Sequence, residues 1–206
     1  RYISVTGVQT CALPISEDDD RILGSTAISR WSYSTSKALD EHLAFAFATE
    51  GLRVSIVRYF NSYGPHLDEK GYGSVIANFI RQARDGDPLT VHGDGLQTRC
   101  FTFVADTVRG TILAGTKDEA LGSVFNIGSN FEISIADLAR LILDKTKSSS
   151  AITNVSYEQR YGTSFEDTRR RVPSLDRARN VLGYSPTIDL AEGLDRTLAW
   201  WNTVHT

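Results

Sequence analysis

Two side chains that can transfer a proton lie four residues apart in the segment Tyr33-Ser34-Thr35-Ser36-Lys37. Apolar residues at helical spacing follow it, which predicts that the phenol and the ammonium share one face of a helix: Leu39, Leu43, Ala46 and Phe47. A lysine held near a tyrosine favours the phenolate by charge, so the pair predicts general-base chemistry. The alternative is a tyrosine packed at a helix edge beside a solvated lysine.

The segments after this helix have the order of half a βαβ unit. The helix is expected to end at residues 50–51, where Gly51 suits the C′ position. The β-branched and apolar run at 53–60 predicts a strand, and the polar Gly-Pro loop at 61–65 follows it. Tyr59-Phe60-Asn61 would then lie at the carboxyl end of a parallel strand, where doubly wound sheets bind their ligands.

Four motifs in this order resemble those of the extended short-chain dehydrogenase/reductase family, specifically its NAD-dependent sugar-nucleotide epimerases, dehydratases and decarboxylases. The motifs are YSTSK at 33–37, RYFNSYGP at 58–65, LTVHGDGLQTRCFTFVADTV at 89–108 and VFNIGS at 124–129. The resemblance covers residues 16–201. It implies an α/β fold, the C-terminal part of a Rossmann-type doubly wound parallel sheet with a smaller α/β substrate-binding domain.

The resemblance also implies roles for single residues near the proposed base. Tyr33 would remove a proton from a sugar hydroxyl, and Lys37 would hold the cofactor ribose and the phenolate. NAD is the implied cofactor, with Tyr33, Lys37, Tyr59 and Phe60 as its contacts. No metal is required by this chemistry, and the sequence predicts no metal site.

Five residues are implied contacts of a nucleotide-sugar substrate, most simply a UDP-sugar: Asn61, Val91, His92, Arg99 and Arg171. The strand at 89–93 resembles the family segment along the uracil or thymine ring. A guanidinium suits the pyrophosphate because its fork of donors matches two phosphate oxygens. The alternatives are a turn residue for Asn61, a surface ion pair for Arg99 and a solvated run of charges, 169–171, for Arg171.

The first fifteen residues differ in character from the rest. Residues 5–15 are similar to the translation of a sequencing adapter, and residues 1–15 are interpreted as non-native; an ordinary strand and loop is the alternative. The chain contains no GxGxxG, so we expect most of the cofactor-binding half to lie upstream of residue 1 or to have been lost. The serine or threonine that the family carries ahead of the tyrosine would fall at residues 8–10, where Thr10 could imitate it.

These observations predict three segments. Residues 1–15 are the non-native segment, residues 16–63 the C-terminal part of the NAD-binding domain, and residues 64–206 mainly the substrate-binding domain. Segments near 99–128 are expected to return to the NAD-binding domain. We expect the chain on its own to be catalytically inactive and not to retain NAD, because it lacks the phosphate-binding turn.

Composition sets wider limits. The 206 residues carry a net charge of -3, which gives no electrostatic reason to expect nucleic acid or an anionic membrane as a partner. No apolar run approaches the roughly 18 residues of a membrane span, and no signal-peptide pattern is found, so a cytoplasmic protein is expected. Cys11 and Cys100 lack metal-ligand spacing. The acidic run 17–20 is interpreted as a solvated turn.

The resemblance favours an NAD-dependent nucleotide-sugar epimerase, similar to UDP-glucose 4-epimerases, that is homodimeric when intact. Nucleotide-sugar 4,6-dehydration and UDP-glucuronate decarboxylation share the same opening oxidation and stay as alternatives. A noncatalytic relative that only binds a nucleotide is an alternative of another class. The presence of both Tyr33 and Lys37 argues against it, because a binding protein needs no base.

Overall fold

A computed structural model describes residues 2–5, 15–21, 25–28, 30–67, 74–158 and 168–204. For residues 2–5 and 30 it describes the backbone alone. The prediction for Thr10 lies outside these residues. The helices are α1 (Arg30–Thr49), α2 (Val75–Asp85), α3 (Val104–Thr116), α4 (Ile135–Thr146) and α5 (Leu190–Val204), with a π-helical turn at Ala178–Leu182. The strands are β1 (Tyr2–Val5), β2 (Ser55–Tyr59), β3 (Ser62–Tyr63), β4 (Leu89–His92), β5 (Thr98–Cys100), β6 (Thr102–Phe103), β7 (Val124–Ile127), β8 (Glu132–Ser134), β9 (Ile152–Val155) and β10 (Arg170–Arg171).

The predicted parallel sheet is present and has the order β1-β2-β7. Successive side chains of a strand point to opposite faces, and two separate core clusters show which helix covers each face. Ile56 packs with Ala44 of α1, whereas its neighbour Val57 packs with Ala114 of α3. The sheet is therefore covered by helices on both faces, which confirms the predicted α/β class.

The remaining strands form smaller sheets beside this one. Strand β5 lies between β10, its parallel neighbour, and β8, its antiparallel neighbour. Strands β4 and β9 pair in parallel, as do β3 and β6. The largest core cluster joins α2, α4 and α5 with β4 and includes Phe79, Leu89, Leu138 and Leu194. Tyr63 belongs to this cluster as well, and the predicted boundary at residues 63–64 stays a prediction.

Helix ends follow their sequence signals. Gly51, two residues after α1, and Gly86, directly after α2, adopt left-handed φ values of 92° and 76°, as expected of C-terminal glycines. Ser134 caps α4 by accepting a hydrogen bond from the Asp137 backbone N–H at 3.0 Å. None of the helices that the structure describes is long and apolar enough to cross a membrane.

Candidate active site

The structure brings Tyr33 and Lys37 together on α1. The Lys37 ammonium lies 5.8 Å from the centre of the Tyr33 ring, and 51% of the Tyr33 surface is exposed. The ammonium also donates to Asp40 Oδ2 at 2.9 Å. This hydrogen bond, together with the charges of Asp40 and Tyr33, raises the pKa of Lys37 against a smaller opposing effect of burial. Lys37 is therefore held charged beside the phenol, and Asp40 is a partner that the motif did not reveal.

The apolar stripe of α1 faces away from the sheet. Leu39, Leu43 and Phe47 are each about half exposed, while Trp31 and Ala44 form the buried side of the helix. The periodicity of these apolar residues correctly predicted the helix. The apolar stripe itself, however, lies on the exposed side of α1 and not on the side that faces the core. In the described part of the chain, α1 thus presents apolar side chains to solvent.

The buried side of α1 carries an ion pair with β2. Arg58 donates from Nε and Nη2 to the two oxygens of Glu41, at 2.8 and 2.7 Å, with both side chains under a tenth exposed. Arg21 lies 4.0 Å from the same carboxylate and donates to the Ser34 carbonyl at 3.1 Å. These contacts fix the helix turn that carries Tyr33 against β2, the strand that ends two residues before Asn61.

Glu17 corrects the interpretation of the acidic run as a solvated turn. Its side chain is buried and accepts a hydrogen bond from the backbone N–H of Asn126 at 2.7 Å, on β7. Burial raises the pKa of Glu17, against opposing effects of the Asn126 N–H and the charges of Arg177 and Arg58. Asp18 and Asp20 are exposed, as expected of a turn. The prediction was wrong for Glu17 because a charge run does not show which of its members points inward.

The residues at the end of β2 are held within the protein. The Tyr59 hydroxyl hydrogen bonds with Thr111 of α3 at 2.9 Å. The Phe60 ring is buried against Ile15, and its backbone N–H donates to the Ile127 carbonyl at 3.1 Å. Contacts of Tyr59 and Phe60 with NAD therefore stay predictions, since both side chains already pack inside the chain.

Asn61 connects the end of β2 to β5. It has a left-handed φ of 41°, uncommon for a residue with a side chain, and its Nδ2 donates to the Cys100 carbonyl at 2.8 Å. The Asn61 carbonyl accepts from the Thr102 N–H at 3.1 Å. The predicted substrate contact Asn61 consequently lies beside the strand that carries Arg99.

Arg99 and Arg171 are neighbours. Their Cα atoms are partners on the parallel strands β5 and β10, so their side chains leave the sheet on one face. Arg170 faces the other way and forms two hydrogen bonds of 2.7 Å with Glu132, and Arg169 forms an ion pair with Asp94. Because side chains alternate between the two faces of β10, Arg171 lies on the face opposite to Arg170.

The predicted base-contact segment occupies β4. The Val91 side chain is buried in the largest core cluster, so any substrate contact would use its backbone. His92 is half-buried, with its ring 6.3 Å from the ring of Tyr157. Gln97 donates to the His92 carbonyl at 2.8 Å and to the Tyr157 hydroxyl at 3.0 Å. His92 is thereby joined to the turn that leads to Arg99.

Asn126 ties backbone segments together. Its Nδ2 donates to the carbonyls of Ile15 and Ser174, at 2.9 and 3.1 Å, and its side chain is fully buried. Asn126 therefore fixes the backbone at Ile15 and Ser174 to β7.

The model of the family described as GDP-mannose 4,6 dehydratase matches residues 23–197. The chain belongs to the extended short-chain dehydrogenase/reductase family of sugar-nucleotide enzymes. Among curated members, it is 44% identical to a UDP-N-acetyl-alpha-D-glucosaminuronate decarboxylase of Bacillus cytotoxicus, over 93% of this chain and 60% of that protein. It is 36% identical to UDP-glucuronic acid decarboxylase 1 of Xenopus tropicalis, over 84% of this chain and 39% of that protein.

Solved structures of the family show the same fold. A UDP-glucose 4-epimerase of Thermotoga maritima, solved with UDP-glucose, superposes with a TM-score of 0.87 at 26% identity, over 100% of this chain and 64% of that one. A UDP-glucuronic acid 4-epimerase of Bacillus cereus was solved with UDP-glucuronic acid and NAD. It superposes with a TM-score of 0.83 at 27% identity, over 99% of this chain and 62% of that one. The chain spans less than two thirds of the length of these relatives.

Proposed function

We propose that the chain supplies the proton-transfer pair and the substrate-binding residues of an NAD-dependent enzyme that acts on a UDP-sugar. The observation that carries this proposal is the exposed Tyr33 beside a Lys37 that Asp40 holds in its charged form. Family membership supports the reaction class. A cytoplasmic location stays a prediction from the sequence.

The residues around Tyr33 fit the cofactor that the family implies. Tyr33 is half exposed and Lys37 is a charged donor beside it, so both can face a bound dinucleotide and its ribose hydroxyls. NAD, when bound, accepts a hydride from the sugar ring and returns it. We assign the contact to Tyr33 and Lys37, and we leave Tyr59 and Phe60 as predictions.

The chain's own part in the reaction is proton transfer and binding. Tyr33 removes the proton of a sugar hydroxyl, and the Lys37 charge attracts the negative charge that develops on the phenol oxygen. Arg99 and Arg171 bind the substrate pyrophosphate from one face of β5 and β10. Asn61 and His92 flank the same region through their links to Cys100 and Gln97.

Epimerisation is the fate of the oxidised sugar that the sequence favours. Decarboxylation of a UDP-uronate is the second candidate, because curated relatives at 44% and 36% identity are decarboxylases. The two fates share the step that Tyr33 performs and differ in what leaves the oxidised sugar. A sugar that returns unchanged in composition indicates epimerisation, and released carbon dioxide indicates decarboxylation.

The test uses a complemented enzyme, defined as residues 16–206 joined to the cofactor-binding half of the Bacillus cytotoxicus relative. UDP-glucose, UDP-glucuronate and dTDP-glucose are each incubated with it and NAD, and products are separated by chromatography. We expect conversion of a UDP-sugar, with the product identifying the branch. Binding of UDP without conversion of any of the three sugars would support the noncatalytic alternative instead.

We further propose that the intact enzyme is a homodimer in which two copies of α1 meet. The support is the exposed stripe of Leu39, Leu43, Ala46 and Phe47, which lies opposite the sheet-facing side of the helix. Light scattering on the complemented enzyme should give twice the monomer mass, and Leu43→Lys should give a monomer. Val108→Lys on α3, where Val108 is similarly exposed, is the matched control and should stay dimeric. A dimeric Leu43→Lys protein would reject this interface.

A further inference from the structure

Tyr33, Lys37 and Asp40 follow one another along one side of α1. They are spaced by four and three residues, the spacings at which side chains of a helix are neighbours. The Lys37 ammonium lies 2.9 Å from Asp40 Oδ2 and 5.8 Å from the centre of the Tyr33 ring. One cation therefore binds a carboxylate about one turn after it and lies beside the proposed base about one turn before it.

The next residue, Glu41, points to the other side of the helix. Adjacent residues of a helix do not face each other, and Glu41 binds Arg58 inside the interface with β2. The Glu41 side chain is 8% exposed, whereas that of Asp40 is 40% exposed. The two adjacent carboxylates thus have separate cations. The buried pair fixes the rotation of α1 that keeps Asp40 on the accessible side, beside Lys37.

The exposure of Asp40 indicates what its ion pair with Lys37 contributes. A partly exposed pair is screened by water, so it adds little to the stability of the fold. A lysine side chain is long and flexible, and a hydrogen bond at its end reduces the number of conformations that it explores. The bond to Asp40 thus orders Lys37 through the protein itself, and binding of Lys37 to a ligand then costs less conformational entropy.

We infer that Asp40 is a positioning residue, which holds the Lys37 ammonium beside Tyr33 and leaves two of its N–H donors for the phenol oxygen and a ribose hydroxyl of the cofactor. An ammonium has three donors, and Asp40 accepts from one of them. This inference rests on the proposed function and adds a residue outside the YSTSK motif. It requires that a hydrogen-bond acceptor at position 40, and not only a negative charge, determines where Lys37 lies.

The first test measures the order of the Lys37 side chain in the 206-residue chain by NMR relaxation of its Cε, with Lys37→Arg assigning the signal. Asp40→Ala should lower the order parameter of Lys37, and Asp40→Asn, which keeps an acceptor, should retain most of it. Asp144→Ala removes an exposed partner of Lys147 at the same spacing on α4, and this matched control should leave Lys37 unchanged. A Lys37 order parameter that Asp40→Ala does not lower would overturn the inference.

The second test uses the complemented enzyme. With Asp40→Ala, we expect the dissociation constant for NAD to rise and turnover to fall, each about two- to fivefold, the range of a partly exposed ion pair. The KM for the UDP-sugar should stay that of the parent, because Asp40 is not among the proposed substrate contacts. Asp40→Asn should recover most of both losses. If Asp40→Asn is as impaired as Asp40→Ala, only the charge matters and the positioning role is wrong.

The outcomes distinguish this inference from the proposed function. If Tyr33→Phe abolishes turnover while Asp40→Ala binds NAD and turns over as the parent does, the proposed function stands and only the role of Asp40 falls. A parent enzyme that converts no UDP-sugar would overturn both.

Discussion

Arg58 of β2 and Glu41 of α1 form a bidentate ion pair inside the interface between the helix and the sheet. The surrounding residues of that interface are apolar, among them Ala44, Val54 and Ile56. A buried pair adds little stability relative to apolar residues, but its geometry allows one register only, since a one-residue slide of the helix would separate both hydrogen bonds. The pair therefore specifies where α1, and with it Tyr33, sits on the sheet.

Removing one partner of this pair should be costly. Glu41→Gln leaves a buried cation without its charge partner, and we expect the free energy of unfolding to fall by about 3–5 kcal/mol. Urea denaturation followed by circular dichroism measures the change. Glu192→Gln, which removes a half-exposed partner of Arg196, is the control and should cost no more than about 0.5 kcal/mol. A loss below about 1 kcal/mol for Glu41→Gln would contradict the buried-pair account.

The long elements could be predicted because each has a periodicity and an end signal. Helix α2 and its terminal Gly86 are examples. Strands β5 and β10 have three and two residues, too few for a pattern of alternation to show, and their pairing sets Arg171 beside Arg99. The position of Arg171 within a run of arginines could not separate it from Arg170. Only the alternation of β10 and the location of Glu132 do so.

Sequence patterns could not predict the ion pair of Glu41 and Arg58 either. The two residues are 17 positions apart, and no local rule links a helix carboxylate to a strand arginine. The helical spacing of Ser34, Glu41 and Ala44, seven and three residues apart, places all three on the buried side of α1. This spacing was a weak sequence signal that Glu41 is buried. The exposed apolar stripe on the opposite side concealed that signal.

Arg99→Ala should weaken nucleotide binding. The loss of a charge-assisted contact with a phosphate oxygen is worth roughly 1.5–3 kcal/mol, and we expect the dissociation constant for UDP to rise accordingly. Calorimetry on the 206-residue chain measures it. Arg170→Ala, one strand away on the opposite face and bound to Glu132, is the matched control and should bind UDP as the parent does. Equal affinity of Arg99→Ala and the parent would make Arg99 a surface residue.

Asp106 predicts a pH-dependent contribution to stability. Its buried carboxylate, at the start of α3, accepts hydrogen bonds from Arg109 and from the segment before α5, including the Thr187 and Ile188 N–H groups at 2.9 and 3.0 Å. Burial alone would raise the pKa of Asp106, but the hydrogen bonds from Arg109, Ile188 and Thr187 together outweigh it, and the pKa is lowered from 3.8. The folded state therefore favours the ionised form.

The sign of the effect follows from this direction. A carboxyl with a lowered folded-state pKa stabilises the fold above its unfolded value of 3.8, and the stabilisation is lost as the pH falls through the folded value. Asp106→Asn should cost about 2–4 kcal/mol at neutral pH and progressively less below about pH 4. Asp144→Asn, at an exposed pair with Lys147, should show no such dependence. A difference from the parent that stays constant down to about pH 2 would contradict the assignment.

If Tyr33 is the base of the proposed reaction, Tyr33→Phe in the complemented enzyme should prevent removal of the sugar hydroxyl proton. The substitution removes only the phenol oxygen, so turnover of the UDP-sugar should fall by about 10²–10⁴-fold while its dissociation constant stays within about twofold. Ser36→Ala is the matched control, because Ser36 is exposed on the same helix turn and donates to the Tyr33 carbonyl. Its turnover should equal that of the parent. We expect turnover to be lost while binding is retained, and a Tyr33→Phe enzyme that turns over within about tenfold of the parent would show that Tyr33 is not the base.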